Sequence, residues 1–191
     1  MAYFSILQNN TLLTLQIKKA INMNTLNIVI YLLPIVFIIH DFEEIIGVEK
    51  WLKKNGECMK RKYPKLTMIM QHLETLSSQT FAVAVLEEFL IISTVTICTL
   101  LFSYYFVWIA VFSAFSFHIM IHIVQWIIIK KYIPVIVTSL LSIPYIVLGM
   151  LCIIHLFSHK DIILCSLIGI LVASLNLLLV HKLIAKFSRR E

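Results

Sequence analysis

Long apolar stretches separated by short polar connections dominate the pattern of the chain. Five of them, each interrupted by few charged residues, cover about residues 25–47, 80–102, 105–129, 132–157 and 161–184. About 20 apolar residues suffice to cross a bilayer as a helix, and inside lipid a helix satisfies its own backbone hydrogen bonds. The pattern therefore predicts an all-α polytopic membrane protein, a bundle of five transmembrane helices within residues 25–187.

Two regions lie outside these predicted spans. Residues 1–24 mix apolar and polar positions, and we expect an amphipathic segment on the membrane surface or a disordered segment. Residues 1–22 would also fit an extension upstream of a start at Met23. The first apolar stretch is long and ends in HDFEE, unlike the short stretch of a cleaved signal. Residues 48–79 are rich in lysine and predict a cytoplasmic segment, in which QHLETLSSQ is compatible with a helix along the interface.

The composition strengthens the membrane prediction and orients the chain. The 191 residues are 60% hydrophobic and 14% charged, whereas a soluble domain is nearer half apolar and a quarter charged. With five spans, every lysine and arginine except Lys18, Lys19 and Lys160 falls on the side of residues 48–79. Since basic residues favour the cytoplasmic side, we expect a multi-pass protein of the cell membrane with its N-terminus outside and its C-terminus in the cytoplasm.

The net charge of +6 is explained by this arrangement. A basic rim facing the anionic lipids of the inner leaflet accounts for it. No nucleic-acid-binding module accompanies the charge, so membrane lipids and not nucleic acids are the expected partners. The cysteines form no CxxC pair and suggest neither disulfides nor a thiolate metal site. The sequence leaves the oligomeric state open.

Ionisable side chains inside the first span form the first part of a candidate site, because such groups are costly in lipid. His40, Glu43 and Glu44 follow one another at spacing i, i+3, i+4. This spacing places all three side chains on one face of a helix. Asp41 does not belong to that face, and we expect it to point to the membrane interface.

The second and third spans carry further polar pairs. Glu87 and Glu88 stand next to each other in LEEF, about 100° apart around a helix, so only one of them can point squarely at the bundle axis. His118 and His122 are spaced i, i+4 and share a face, which Gln125 extends by one turn. Each pair therefore adds to a polar face within an otherwise apolar helix.

The predicted orientation places all of these groups in the cytoplasmic half of the bundle. At 1.5 Å per residue, the carboxylates lie roughly 5–12 Å below that surface and the histidines roughly 12–18 Å below it. His181 ends the fifth span on the same side, whereas His155 falls at the outer end of the fourth. We therefore expect one pocket, open to the cytoplasm, to hold the whole set.

Glutamates and histidines together form a ligand set for divalent metals. Imidazole suits zinc and iron, and carboxylates add oxygen ligands. Zinc is the first expectation, and a di-iron or di-manganese site is the alternative, since His-x-x-Glu pairs with extra glutamates resemble two-metal sites in helical bundles. A different interpretation stays open, in which the carboxylates reach for the headgroups and the histidines hydrogen-bond between helices.

The sequence resembles the HXXEE domain family of small bacterial membrane proteins. The resemblance rests on HDFEE at 40–44, FAVAVLEEF at 81–89 and HIMIHIVQWIIIKKYIPVIVT at 118–138, and it covers most of residues 28–183. It implies a membrane enzyme without an established substrate, with functional residues at His40, Glu43, Glu44, Glu87, Glu88, His118 and His122. Family members often have Pro-Gly after the third span, whereas here Pro134 precedes Val135.

Three functions remain open from the sequence. The first is a metal-dependent enzyme, a hydrolase acting on a lipid or lipid-linked substrate at the cytoplasmic leaflet. Its ligands would come from His40, Glu43, Glu44, His118 and His122, with Glu87 and Glu88 as catalytic residues and His181 and Gln125 as additional candidates. The second is a cation- or proton-coupled transporter using the same carboxylates, although the outer half of the spans is nearly bare of polar groups. The third is a membrane immunity or interaction protein without catalytic activity.

Overall fold

The computed structural model describes residues 2–64, 67–74 and 77–188, with backbone but no side chains for residues 2–22, 69, 72–74, 181 and 183–188. In this part of the chain the helices are α1 (Ala2–Lys62), α2 (Thr67–Glu74), α3 (Ser78–Phe102), α4 (Tyr105–Ile129), α5 (Ile136–Leu156) and α6 (His159–Ser188). Five of them contain a stretch long and apolar enough to cross a membrane, which lies in Met23–Lys62, Ser78–Phe102, Tyr105–Ile129, Ile136–Leu156 and His159–Val180. The prediction of an all-α polytopic membrane protein is confirmed.

Four of the helices surround one core. Helix α1 packs on α3 and α5, and α4 packs on the same two helices from the other side, so α1 and α4 face each other with little backbone contact. The space between them is filled by Leu26, Ile30, Trp108, Phe112 and Ile153, all of them fully buried. The Trp108 and Phe112 rings stack with their centroids 4.9 Å apart. These large side chains set the spacing of α1 and α4.

Helix α6 lies outside this four-helix core and packs mainly on α4. Gly169 approaches the Ala110 backbone so closely that a Cβ atom would collide with it. The Ser166 hydroxyl donates to Ser113 Oγ over 2.9 Å. Between Ile163 and Leu179, α6 exposes many large apolar side chains, Leu171 and Leu178 among them, as expected for a helix that faces lipid on most sides.

Helix α1 does not end with the predicted first span at residue 47 but continues to Lys62. From Met23 it runs for 40 residues, about 60 Å, which is twice the thickness of the hydrocarbon core. Helix α2 folds back onto this extension, where Met70 packs against Leu52 and Met59. The predicted connection at 48–79 is therefore a continuation of α1 followed by a short helix.

The α1 extension holds the connection between α4 and α5 in place. Trp51 Nε1 donates to the Tyr132 carbonyl over 2.8 Å, and the Tyr63 hydroxyl donates to the Ile128 carbonyl over 3.0 Å. We call this end of the bundle, formed by residues 47–62, α2 and residues 130–135, the basic end, because most of the described lysines and arginines lie there. The candidate site lies next to the basic end.

Candidate metal centre

Three histidines meet between α1 and α4, near the basic end. The ring centroids of His40 and His118 are 5.3 Å apart, those of His40 and His122 5.2 Å, and those of His118 and His122 4.3 Å. One nitrogen of each ring lies within 4.8 Å of the corresponding atoms of the other two. The i, i+4 pair of the third span and the histidine of the first span thus form one cluster, which we call the histidine triad.

The hydrogen bonds of Thr138 determine which ring nitrogen of His40 carries the proton. The Thr138 hydroxyl donates to Glu43 Oε2 over 2.6 Å, which is much shorter than its 3.3 Å contact with the Val135 carbonyl. A hydroxyl has one proton to give, so its 3.0 Å contact with His40 Nδ1 is one in which the imidazole donates. His40 Nε2 therefore carries a lone pair, and this buried atom has no hydrogen-bond partner among the described residues.

Gln125 fixes the tautomer of His122, as Thr138 fixes the tautomer of His40. His122 Nδ1 lies 3.1 Å from Gln125 Oε1, and an amide oxygen only accepts hydrogen bonds. His122 Nε2 is thereby left with a lone pair, which accepts from His118 Nε2 over 2.9 Å and lies 3.4 Å from Glu44 Oε1. Gln125, predicted as a possible additional ligand, instead hydrogen-bonds to the far nitrogen of His122 and orients this ring of the histidine triad.

Two carboxylates from α1 complete the cluster. Glu44 and Asp41 each place an oxygen within 4.8 Å of the other and of one His118 nitrogen. Asp41 is 3% exposed, so the expectation that it points to the membrane interface is wrong. Helix α1 packs on both α3 and α5, so more than one of its faces is buried. Asp41 lies on a buried face other than that of His40. The i, i+3 spacing of Asp41 and Glu44 was a signal in the sequence for this second buried pair.

Glu43, predicted as a metal ligand, lies at the start of α5. Its carboxylate accepts from the Thr138 amide over 2.9 Å, from the Thr138 hydroxyl over 2.6 Å and from the Tyr132 hydroxyl over 3.1 Å. The residue before α5, Val135, provides no side-chain cap. Glu43 therefore caps α5 from a different helix, where a negative charge is favoured by the unpaired amides and the helix dipole.

Tyr132 supports the Glu43 carboxylate from the α4–α5 connection. Partial burial and the hydrogen bond to Glu43 raise the pKa of Tyr132 above its ordinary value of 10.0. The phenol therefore remains a hydrogen-bond donor at physiological pH. Neither Tyr132 nor Thr138 was predicted as part of the site, because their roles depend on how the α4–α5 connection folds back over α1.

The α4–α5 connection has a backbone conformation that favours glycine. Val135 has φ of 106°, which costs a β-branched residue roughly 1–3 kcal/mol. This is the position at which the sequence departs from the Pro-Gly expected from the family resemblance. Pro134 packs against Gly47 of α1, where a Cβ atom would come within 2.5 Å of the Pro134 ring. Val135 thus adopts a backbone conformation that favours glycine, and the connection packs directly against α1 at Gly47.

The two glutamates of α3 point to different neighbours. Glu88 lies close enough to Asp41 and Glu44 for its charge to act on theirs, so it borders the cluster. Glu87 accepts a hydrogen bond from Asn176 Nδ2 of α6 over 3.1 Å. This division fits the expectation that only one of the adjacent glutamates can face the axis. The side chain of His181, predicted as an additional candidate, lies outside the described residues.

The cluster is closed on one side and open on the other. Phe115 packs edge-on against His40, with 6.2 Å between the ring centroids, and the stacked Trp108 and Phe112 follow towards the opposite end of the bundle. At the basic end, a crevice between α1 and the start of α3 is lined by Glu44, Val48, Glu49, Ser78 and Phe81. Glu44 is thus the member of the cluster that this crevice reaches.

The fold and the cluster define a class: a multi-pass membrane protein with histidines and carboxylates buried at one end of its helix bundle. The chain belongs to the family of proteins of unknown function with an HXXEE motif, whose model matches residues 31–149. The matched range spans more than half of the chain, contains HDFEE and the whole histidine triad, and stops before α6. No curated protein matches the chain, and neither does any solved structure.

Proposed function

We propose that the protein is a membrane-embedded metal-dependent enzyme whose divalent metal is held by His40, His118 and His122. The observation that carries this proposal is the fully buried lone pair of His40 Nε2, for which the described part of the chain provides no hydrogen-bond partner. The other nitrogen of this ring is already engaged. An unsatisfied acceptor at such a depth is costly. A metal ion bound to it would satisfy it.

The donor set fits a metal such as zinc. Zinc bonds of 2.0–2.1 Å in a tetrahedral arrangement place ligand nitrogens roughly 3.3 Å apart, close to the 2.9 Å between His118 Nε2 and His122 Nε2. The hydrogen bonds at the Nδ1 atoms of His40 and His122 are of the kind that orients metal-bound imidazoles. Three protein ligands with a remaining open position are typical of catalytic rather than structural zinc sites. Iron or manganese would also accept this mixture of ligands.

The reaction best supported by these residues is hydrolysis. A metal held by His40, His118 and His122 would supply Lewis acidity to water and to a carbonyl or phosphoryl oxygen. Glu88, which borders the cluster, is the candidate general base that takes a proton from water. Glu87, held by Asn176, is the neighbouring residue that positions this turn of α3. The packed layer of Trp108 and Phe112 excludes water from the far side of the site.

The substrate class follows from where the site would lie in a membrane. By the distribution of basic residues, the basic end faces the cytoplasm, with the N-terminus outside and the C-terminus inside the cell. The cluster then lies in the cytoplasmic leaflet of the cell membrane, a few turns below its surface. A lipid or a lipid-linked molecule reaches such a depth with its headgroup near the crevice at Glu44.

The test is the metal content of the detergent-purified protein, measured by mass spectrometry. We expect stoichiometric metal in the wild type, and its loss in His40→Gln. The matched control is His155→Gln, since His155 is an exposed histidine near the opposite end of α5. Wild-type protein that lacks metal after chelator-free purification and reloading would contradict the proposal, as would equal metal in His40→Gln.

A cation or proton transporter is the alternative with the most in common with this site. Such a protein needs a polar path through the other half of the bundle. In the described residues that half is filled by Leu26, Ile30, Trp108 and Phe112, each fully buried, and α5 runs through Pro144 without a break. These observations favour an enzyme with access from one side.

A further inference from the structure

We propose that the centre takes a second divalent cation, held by Asp41 and Glu44 next to the metal of the histidine triad. This inference rests on the proposed function and extends it from a one-metal to a two-metal centre. Asp41, Glu44 and His118 each bring one ligand atom within 4.8 Å of the other two. They form a second group that is adjacent to the first.

Asp41 is the residue that points to a ligand. Its side chain is 3% exposed, and among the described residues it makes no hydrogen bond, in contrast to Glu43, which accepts three. A buried carboxylate without a partner is rarely retained in a helix bundle, because its desolvation is not compensated. A cation between Asp41 and Glu44 would compensate both.

The negative charge of the neighbouring carboxylates also favours a bound cation. Glu88 adds a third carboxylate that interacts with Asp41 and Glu44. Among the described residues, no lysine or arginine forms a salt bridge with any of the three. On the α1 extension, Lys53 pairs with Glu49 over 2.6 Å. Carboxylates crowded at low dielectric without positive partners are typical of sites for hard divalent cations.

The two groups overlap in a way that suits a bridged pair of ions. Glu44 lies 3.4 Å from His122 Nε2 and is also a member of the Asp41 group. A carboxylate has two oxygens and can hold one ion with each, so Glu44 is the candidate bridge. His118 belongs to both groups, and it stays a ligand of the first ion while Asp41 and Glu44 hold the second. Ions bridged in this way are about 3.5–4 Å apart in two-metal enzymes.

The two positions differ in the ligands that they offer. The histidine triad provides nitrogen ligands, which suit zinc or iron, whereas the Asp41 position provides mainly oxygen ligands, which suit manganese, iron(II) or magnesium. A two-metal centre would bind both the attacking and the leaving oxygen of a phosphoryl or acyl substrate. The inference therefore narrows the substrate class to lipids or lipid-linked molecules with an ester or phosphoester bond.

The experiment combines metal counting with electron paramagnetic resonance on protein loaded with Mn²⁺ alone. Wild-type protein is expected to hold two ions per chain and to give the spectrum of an exchange-coupled pair. Asp41→Asn is expected to hold one ion and to give the six-line spectrum of isolated Mn²⁺. Asp161→Asn, an equivalent change at the opposite end of the bundle, serves as the control and is expected to match the wild type.

Each alternative outcome overturns a distinct statement. One ion in both wild type and Asp41→Asn would remove the second position and leave the histidine site standing. Two ions in both proteins would show that Asp41 is not a ligand. The absence of any bound ion in the wild type would overturn the proposed function itself. If Asp41→Asn fails to fold, the wild-type spectrum decides alone, because a single uncoupled Mn²⁺ contradicts the inference without any variant.

Discussion

The two halves of the four-helix core are built from the same helices but differ in how they treat polar atoms. In the half away from the basic end, the space between α1 and α4 is filled by Leu26, Ile30, Trp108 and Phe112. Towards the basic end, the same helices place the histidine triad and two carboxylates in the corresponding space. One half gains packing, whereas the other half gives up packing for groups that are costly to bury.

The packed half also contains buried polar atoms without hydrogen-bond partners, which can be compared with His40 Nε2. Among the described residues, Trp108 Nε1 and the Thr96 hydroxyl are also buried without hydrogen-bond partners, but an indole N–H only donates and offers no lone pair to a metal. His40 Nε2 is equally unsatisfied, yet it faces two more imidazoles and lies near two carboxylates. Convergence of several ligand atoms, rather than burial of one, separates a candidate site from a tolerated packing defect.

The largest expected effect comes from breaking the packed half. Trp108→Ala should lower the free energy of unfolding by about 3–5 kcal/mol, because it removes a fully buried ring and leaves a cavity beside Phe112. The metal content per folded molecule should stay that of the wild type, since no ligand changes. Unfolding in a denaturing detergent, followed by metal counting on the folded fraction, measures both. Loss of metal from well-folded Trp108→Ala would show that the two halves are not separable.

The helices of both halves were predictable from the sequence, but the end of α1 was not. Long apolar stretches specify transmembrane helices by composition alone. Beyond residue 47, the helix is stabilised by Met70 of α2 packing on Leu52 and Met59, a contact between segments that no local pattern reveals. The continuation to Lys62 therefore had to be found in the structure.

The candidate site was predictable to the extent that it depends on helical periodicity. His40, Glu44, His118 and His122 were found from spacings within single helices, and the basic residues indicated that they share one end. The role of Glu43 was not predictable, because it depends on where α5 begins. That start is set by the turn at Val135, whose φ of 106° is not expected for a valine.

The second prediction tests whether Glu43 positions His40 through Thr138 or binds the metal directly. Glu43→Gln should weaken metal binding by about 10–100-fold, the effect typical of lost partners behind a ligand. The amide of glutamine can donate to the Thr138 hydroxyl, so His40 Nδ1 is no longer held as the donor. Competition with a chelator of known affinity gives the metal affinity, and nitrogen NMR of labelled histidine reports the tautomer.

Variants of Thr138 provide the matched control for this relay. Thr138→Ser keeps the hydroxyl and should retain both the tautomer and the metal affinity, whereas Thr138→Val keeps the shape and should reproduce the loss seen in Glu43→Gln. Glu57→Gln, on the exposed part of α1, should change neither measurement. If Glu43→Gln abolishes binding while Thr138→Val leaves it intact, Glu43 is a ligand and its position at the start of α5 is secondary.

The smallest expected effect concerns Tyr132, which supports Glu43 from the surface of the basic end. Tyr132→Phe should cost about 0.5–1 kcal/mol of stability, since one hydrogen bond of a largely exposed phenol is lost. The pKa of Tyr132 is raised above 10.0 in the folded protein, so its contribution is fully present below about pH 10. It should be lost as the pH rises through the raised pKa, where the ionised phenolate no longer donates to Glu43. Unfolding of wild type and Tyr132→Phe between pH 7 and pH 11 would show a stability difference that is constant at first and then disappears. A difference that instead grows above pH 10 would mean that Tyr132 does not donate to Glu43, and the support of the α5 cap would have to come from Thr138 alone.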